Sequence, residues 1–213
     1  MSRGRLISFE GGEGAGKSTV IHAVRQRLNE HAIRFESTRE PGGTPLAEVI
    51  RGIALNAEWQ GSMHAETELL LVFAARAQHV RERVLPLLEA GIWVVADRFT
   101  DASFAYQGGG RGQPEARIRA LEIWAACDLQ PDLTFLLDVP VPTGLARADA
   151  RGVRDRIELE QESFFERVRT AYLQRAAQYP DRFRVIDASR SQAEVADAVL
   201  QALDAWLLQA SRV

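Results

Sequence analysis

The sequence predicts an α/β fold in three layers: a central parallel five-stranded sheet flanked by helices. Short apolar runs alternate along the chain with longer stretches of helical spacing. The clearest runs are almost continuously apolar, as strands covered on both faces are, and strand-helix alternation makes neighbouring strands parallel. The first run ends in a glycine-rich loop that opens straight into a helical pattern.

Taken in order, residues 5–9 form the first apolar run, and Val20, Ala23, Val24 and Leu28 then recur at helical spacing. Residues 34–37, 92–96 and 133–139 supply further strands, and 184–186 a fifth. Helical stretches fall at 46–55, 65–90, 114–127, 143–150, 161–178 and 192–209. Gly108, Gly109, Gly110 and Gly112 read as a flexible loop, and the charged, Gly152-containing segment at about 148–157 as a short lid. No repeat or second domain is visible, so one domain spanning 1–213 is expected.

Composition narrows the function classes. The 213 residues are 46% hydrophobic and 26% charged, with a formal net charge of -3 and no concentrated basic tract. That balance argues against a nucleic-acid partner. No segment is apolar for long enough to serve as a signal region or membrane span, so no membrane partner and a cytoplasmic, reduced setting are expected. Cys127 is the single cysteine, and its apolar neighbours point to a buried core position. His22 and His79 sit in helical patterns without ligand-like partners and are assigned no chemistry.

The chemistry begins at Gly11-Gly12-Glu13-Gly14-Ala15-Gly16-Lys17-Ser18. This is the Walker A spacing in its required context, after a strand and before a helix. Backbone N–H groups of such a loop converge on phosphate oxygens, and the helix N-terminus adds partial positive charge. Lys17 is expected to reach the β and γ phosphates of ATP, and Ser18 to offer its hydroxyl to Mg²⁺, with Thr19 beginning the helix. Asp97 and Arg98 follow the third strand, at the sheet edge where parallel folds bind ligands. Asp97 suits a water-mediated Mg²⁺ contact, and Arg98 can bridge donor and acceptor phosphates through its planar donors.

The loop alone does not separate kinases from motor, signalling or DNA-linked ATPases. Three further segments do: Thr38-Arg39-Glu40-Pro41-Gly42-Gly43-Thr44, Asp97-Arg98-Phe99, and Ala105-Tyr106-Gln107-Gly108-Gly109-Gly110-Arg111-Gly112. With Glu10-Gly11 and the Walker loop, they make the chain resemble the thymidylate kinase family across nearly its whole length. The resemblance implies phosphoryl transfer from Mg-ATP to dTMP and a homodimer; the apolar-rich stretch 69–88 is long enough to include the contact, though it reads equally as core. The nearest rivals are a kinase for another nucleotide or nucleoside and a P-loop NTPase that only hydrolyses.

By the same resemblance, Arg51 and Arg98 hold the dTMP phosphate while Arg39 shapes the loop. Glu13, an odd carboxylate for a phosphate cradle, takes the sugar 3′-hydroxyl. Arg76, Ser103 and Gln107 meet the thymine edge, and Tyr106 crowds the ribose 2′ position. Ser103 and Gln107, four apart, share a helical face. The family's stacking Phe lies four residues before the pocket arginine, where this chain has Val72; Phe73 is expected to cover the base instead, with Val72 as an apolar wall. Because the P-loop contains no arginine, the lid supplies it. Arg151 is the expected catalytic lid residue, Arg147 lies against adenine, and Arg156 pairs with Glu158 or contacts phosphate. Glu10 has a supporting role in orienting arginines or the metal shell.

Overall fold

A computed structural model describes residues 3–150, 152 and 155–210. The elements run β1 (Leu6–Glu10), α1 (Lys17–Glu30), β2 (Phe35–Arg39), α2 (Pro45–Leu55), α3 (Ala65–His79), α4 (Leu85–Glu89), β3 (Trp93–Asp97), α5 (Thr100–Ser103), α6 (Glu115–Ala125), β4 (Leu133–Asp138), α7 (Val141–Asp149), α8 (Glu162–Gln178), β5 (Phe183–Asp187) and α9 (Gln192–Ala210). The sheet order is β2-β3-β1-β4-β5, and every pairing is parallel. This is the expected three-layer α/β fold. No described helix is long and apolar enough to cross a membrane.

Alternation along β1 explains the layers. Ile7 and Phe9 face one side, where they pack with Val20, Val24 and Leu28 of α1 and Val195, Val199 and Leu203 of α9. Leu6 faces the other, with Val94 and Ala96 of β3 against Val80, Val84 and Leu88. Phe9 stacks on Phe135 of β4 at 5.3 Å between ring centroids, tying the two central strands together. Every residue of β1 is buried, which is why its sequence reads as a run instead of an alternation.

Three strands extend past their apolar runs to polar residues. β1 ends on Glu10, β2 on Arg39 and β3 on Asp97, with Arg39 opposite Asp97 in register. Ladder pairing therefore holds these functional side chains at the carboxyl edge of the sheet. The stretch predicted as one helix at 65–90 contains a π turn at Val80–Val84 between α3 and α4. It precedes Pro86, which has no N–H for a regular ladder.

Two expectations need correction. Gly108, Gly109 and Gly110 do not form a flexible loop: Phe104–Gly110 is a π-helical continuation of α5. A Cβ on Gly109 would lie 2.6 Å from Ala171 Cβ and 2.8 Å from the Arg167 carbonyl oxygen. The glycines therefore let this segment press against α8, and their breaker signal is outweighed by packing. Cys127 is exposed rather than buried, because α6 ends at Ala125 and Cys127 turns away with φ 56°.

Candidate active site

The phosphate loop lies between β1 and α1 and rests on α7. At Gly14, φ is 68°, and an added Cβ would fall 1.9 Å from the Gly144 carbonyl oxygen, so only glycine fits. No side chain caps the start of α1, and its cap residue Gly16 is left-handed at φ 89°. The first N–H groups of the helix thus have no side-chain acceptor, which suits an anion. Lys17 Nζ donates to the carbonyl oxygens of Gly11 at 3.3 Å and Gly12 at 3.2 Å. Burial, followed by the neighbouring Arg98, lowers its pKa from the ordinary value.

Arg98 sits just beyond β3 with φ 69°, unusual for a side chain with a Cβ. Its guanidinium donates to the Gly11 carbonyl at 2.8 Å, Tyr172 Oη at 3.1 Å and Glu13 Oε1 at 2.8 Å, and lies 4.7 Å from the Tyr106 ring centroid. Burial opposes its charge, but Tyr106, Tyr172, Glu13 and Asp97 together hold its pKa well above the ordinary value. Tyr106 also donates to Glu13 Oε1 at 2.8 Å. The carboxylate inside the phosphate loop therefore positions a cation, which offsets its repulsion of phosphate.

The other two acceptor-side arginines differ from each other. Arg39 is mostly exposed and paired to Glu48 through its Nη2 at 2.9 Å, consistent with shaping the 39–44 loop. Arg51 is half-buried and donates to the Pro41 carbonyl at 2.8 Å. Its pKa is lowered by burial and then by Arg39, with Glu48 and Asp155 opposing the shift.

At the far end of the cleft, Arg76 is 2% exposed and uses all its nitrogens: Nε to Glu40 Oε2 at 2.6 Å, Nη1 to Ser103 Oγ at 2.8 Å and Nη2 to the Phe99 carbonyl at 3.1 Å. Glu40 is held in turn by His79 Nδ1 at 2.8 Å, and His79 Nε2 meets Thr38 Oγ1 at 2.7 Å. Burial opposes ionisation of Glu40, but Arg76 and His79 bring its pKa below the ordinary value. His79, assigned no chemistry from sequence, is thus part of the support for Arg76. Gln107 donates from Nε2 to Glu68 Oε1 at 2.9 Å.

Phe73 does not line the cleft. It packs with Leu69, Phe104, Ile118 and Ala125, 4.6 Å beneath the Arg76 guanidinium. Val72 faces the cavity. One residue is about 100° of helix, and that rotation turns the Phe73 ring from the cleft into the core.

At the opposite end, Arg147 donates to the carbonyl oxygens of Ala188 at 2.8 Å and Ser189 at 3.3 Å, which sets its plane beside the 188–192 segment. The catalytic expectation for Arg151 lies outside the described residues, as does Arg154. Arg156 lies on the cleft wall, and its side-chain hydrogen bonds go elsewhere than to Glu158. It is buried, donating to the Ala54 carbonyl at 2.9 Å and to Glu68 Oε2 at 2.6 Å. The Glu68 carboxylate, buried on α3, also holds Arg111 and Gln107, while Glu158 accepts from the Asp155 N–H at 3.1 Å.

Glu10 is a buried acid with raised pKa, pushed up to about 8 chiefly by burial and then by Asp101. It accepts from the Phe99 N–H at 2.7 Å and from Tyr172 Oη at 2.7 Å, so it acts on Arg98 through Tyr172. Asp97 Oδ1 is buried without a hydrogen-bond partner, beside the loop that carries Ser18. An unpaired oxygen at this edge is an available hard donor, and Mg²⁺ bound mainly through phosphates and water needs few protein ligands. Ser18 and Asp97 therefore fit such an ion.

One cleft of about 840 Å³ joins both ends, lined among others by Lys17, Arg51, Val72, Asp97, Arg98 and Gln107. A parallel sheet with a phosphate-binding loop at its carboxyl edge, continuous with a second polar pocket, defines a P-loop phosphotransferase of the nucleotide kinase class. The thymidylate kinase family model matches residues 9–199. A thymidylate kinase of Nitrosomonas europaea is 51% identical over 207 residues, covering 97% of this chain and 95% of that protein. Those of Chromohalobacter salexigens and Pseudomonas fluorescens are each 53% identical, covering 97% and 98% of this chain and 100% and 99% of theirs. The chain belongs to the thymidylate kinase family.

Sequence reasoning missed Glu68 and the roles of Glu40, His79 and Tyr172. Glu40 lay within a quoted motif, yet nothing local linked it to Arg76.

Proposed function

We propose that this ATP-dependent nucleoside monophosphate kinase transfers the γ-phosphoryl group of ATP to dTMP, giving dTDP and ADP. The observation that carries the reading is the Glu13 junction. Its carboxylate lies in the phosphate loop yet holds Arg98 and Tyr106, which belong to the acceptor side of the same cleft. Donor and acceptor phosphates brought to either side of Arg98 share one guanidinium.

The residues divide the work. Loop N–H groups and Lys17 hold the donor phosphates, with Arg147 against adenine. Arg51 and Arg98 hold the acceptor phosphate, Glu13 accepts the 3′-hydroxyl and Tyr106 leaves no room for a 2′-hydroxyl. Arg76, Ser103 and Gln107 read the thymine edge over the Val72 wall. The attacking atom is an ionised phosphate oxygen, so no general base is required; positioning and charge stabilisation suffice. Ser18 and, through water, Asp97 would hold Mg²⁺, which would draw negative charge from the phosphates. Arg151 is assigned to the transferring group from the lid.

Homodimerisation through α3 and α6 accompanies this reading. The two helices pack together, and Leu70, Ile123 and Trp124 remain 58%, 50% and 74% exposed on them. The reaction is assigned to the cytoplasm. ADP release measured with dTMP, dUMP, dCMP, dGMP and thymidine tests the substrate: dTMP must give the highest kcat/KM, and no stimulation by dTMP overturns the reading.

A further inference from the structure

Glu68, Val72 and Arg76 are spaced four apart on α3, so one face of the helix presents all three to the acceptor end of the cleft. Val72 is the apolar wall and Arg76 a polar contact. Glu68 is a carboxylate, 1% exposed, in a pocket meant for an uncharged base. A buried carboxylate persists only where its oxygens are satisfied, and this one is satisfied on both. Oε2 accepts from Arg111 Nε at 2.9 Å and Arg156 Nη2 at 2.6 Å, and Oε1 accepts from Gln107 Nε2 at 2.9 Å.

We propose that Glu68 is a specificity-determining positioning residue, which fixes the amide of Gln107 so that its carbonyl oxygen, and not its NH₂ group, is offered to the base. The inference rests on the dTMP reading above. An amide has two orientations related by a half-turn, nearly equal in shape and opposite in hydrogen bonding. A carboxylate flanked by two guanidiniums can only accept, so the amide nitrogen must face it. The carbonyl oxygen is then left for an N–H donor.

Thymine and uracil carry such a donor at N3, whereas cytosine has a bare acceptor there. The fixed amide favours the first and opposes the second, which is discrimination through an unmatched polar group. Arg111 and Arg156 prevent the carboxylate from rotating away. Arg156 reaches this point from the C-terminal end of the 148–157 segment, and its backbone N–H is bonded to the Leu55 carbonyl at 3.0 Å, so the anchor is itself tied to α2.

The test is the affinity of the full-length protein for dTMP and for dCMP, by isothermal titration calorimetry, with Glu68→Gln. A glutamine at 68 can donate or accept, so Gln107 becomes free to turn. The dTMP-to-dCMP preference is expected to fall about tenfold or more, one hydrogen bond's worth, with ATP affinity unchanged. In a Gln107→Met background the same substitution is expected to leave the preference unaltered, because Glu68 acts only through that amide. Glu68→Asp keeps the charge toward Arg111 and Arg156 but withdraws it from Gln107; it is expected to shift the preference in the same direction, and it serves if the glutamine variant does not fold. A preference unchanged in both variants overturns the inference, as does an equal loss of both affinities. No preference for dTMP in the unmodified protein overturns the substrate reading and this inference with it.

Discussion

Replacing Glu10 by glutamine separates two roles for an acid buried at the end of β1. Its carboxyl accepts from the Phe99 N–H and from Tyr172 Oη, each at 2.7 Å, and Tyr172 in turn receives a hydrogen bond from Arg98. Burial, reinforced by Asp101, raises its pKa from 4.5 to about 8, against the opposing pull of Arg98. Below pH 4.5 the native and unfolded chains both carry the proton, and Glu10 makes stability independent of pH. Between 4.5 and 8 the native protein keeps a proton that the unfolded chain has lost, so stability falls as pH rises. Above 8 the loss is complete, and at about 1.4 kcal/mol per tenfold it amounts to about 5 kcal/mol.

Glutamine mimics the protonated acid: its oxygen can accept from Phe99, and its NH₂ can donate to Tyr172 once the tyrosine hydroxyl hydrogen turns away from residue 10. Glu10→Gln is therefore expected to match the unmodified protein within about 1 kcal/mol at pH 4.5 and to exceed it increasingly toward pH 9. Chemical denaturation of both proteins across that range measures the difference. A variant destabilised equally at every pH would refute the reasoning, since Glu10 would then be an ionised partner that Arg98 needs.

Four other substitutions probe separate parts of the molecule. Lys17→Met is expected to lower kcat by about 10²–10³ while leaving the melting temperature nearly unchanged, because its ammonium bonds only two loop carbonyls and is repelled by Arg98. Phe73→Leu should cost about 1–2 kcal/mol in denaturant unfolding with dTMP affinity kept, whereas Val72→Asp should weaken dTMP binding at least tenfold. Gly109→Ala forces a methyl to within 2.6 Å of Ala171 Cβ, and about 1–3 kcal/mol of stability should be lost; a melting curve unchanged from the parent would show that α8 can give way.

The sheet was legible because its central strands are buried on both faces and leave uninterrupted apolar runs, and the phosphate loop because its mechanism demands glycines and a lysine at fixed spacing. Where the reading failed, tertiary packing had overridden a local signal. The glycines at 108–110 look like a chain break, yet they serve close contact with α8. Phe73 and Val72 differ by a single helical step, which composition does not resolve. The buried ion network was invisible for a different reason: Glu40 meets Arg76 from 36 positions away and Glu68 meets Arg156 from 88, distances at which no periodicity connects them. Arg39 lines the cleft, and its pairing with Glu48 comes only from the fold of the 39–44 loop.

The central claim is transfer to a nucleotide acceptor across the Arg98 junction, and following the γ-phosphorus itself tests it most directly. Incubating the full-length protein with γ-labelled ATP, Mg²⁺ and dTMP should move the label into dTDP in equal amount to the ADP formed. Label recovered as inorganic phosphate, at a rate indifferent to dTMP, would contradict the account.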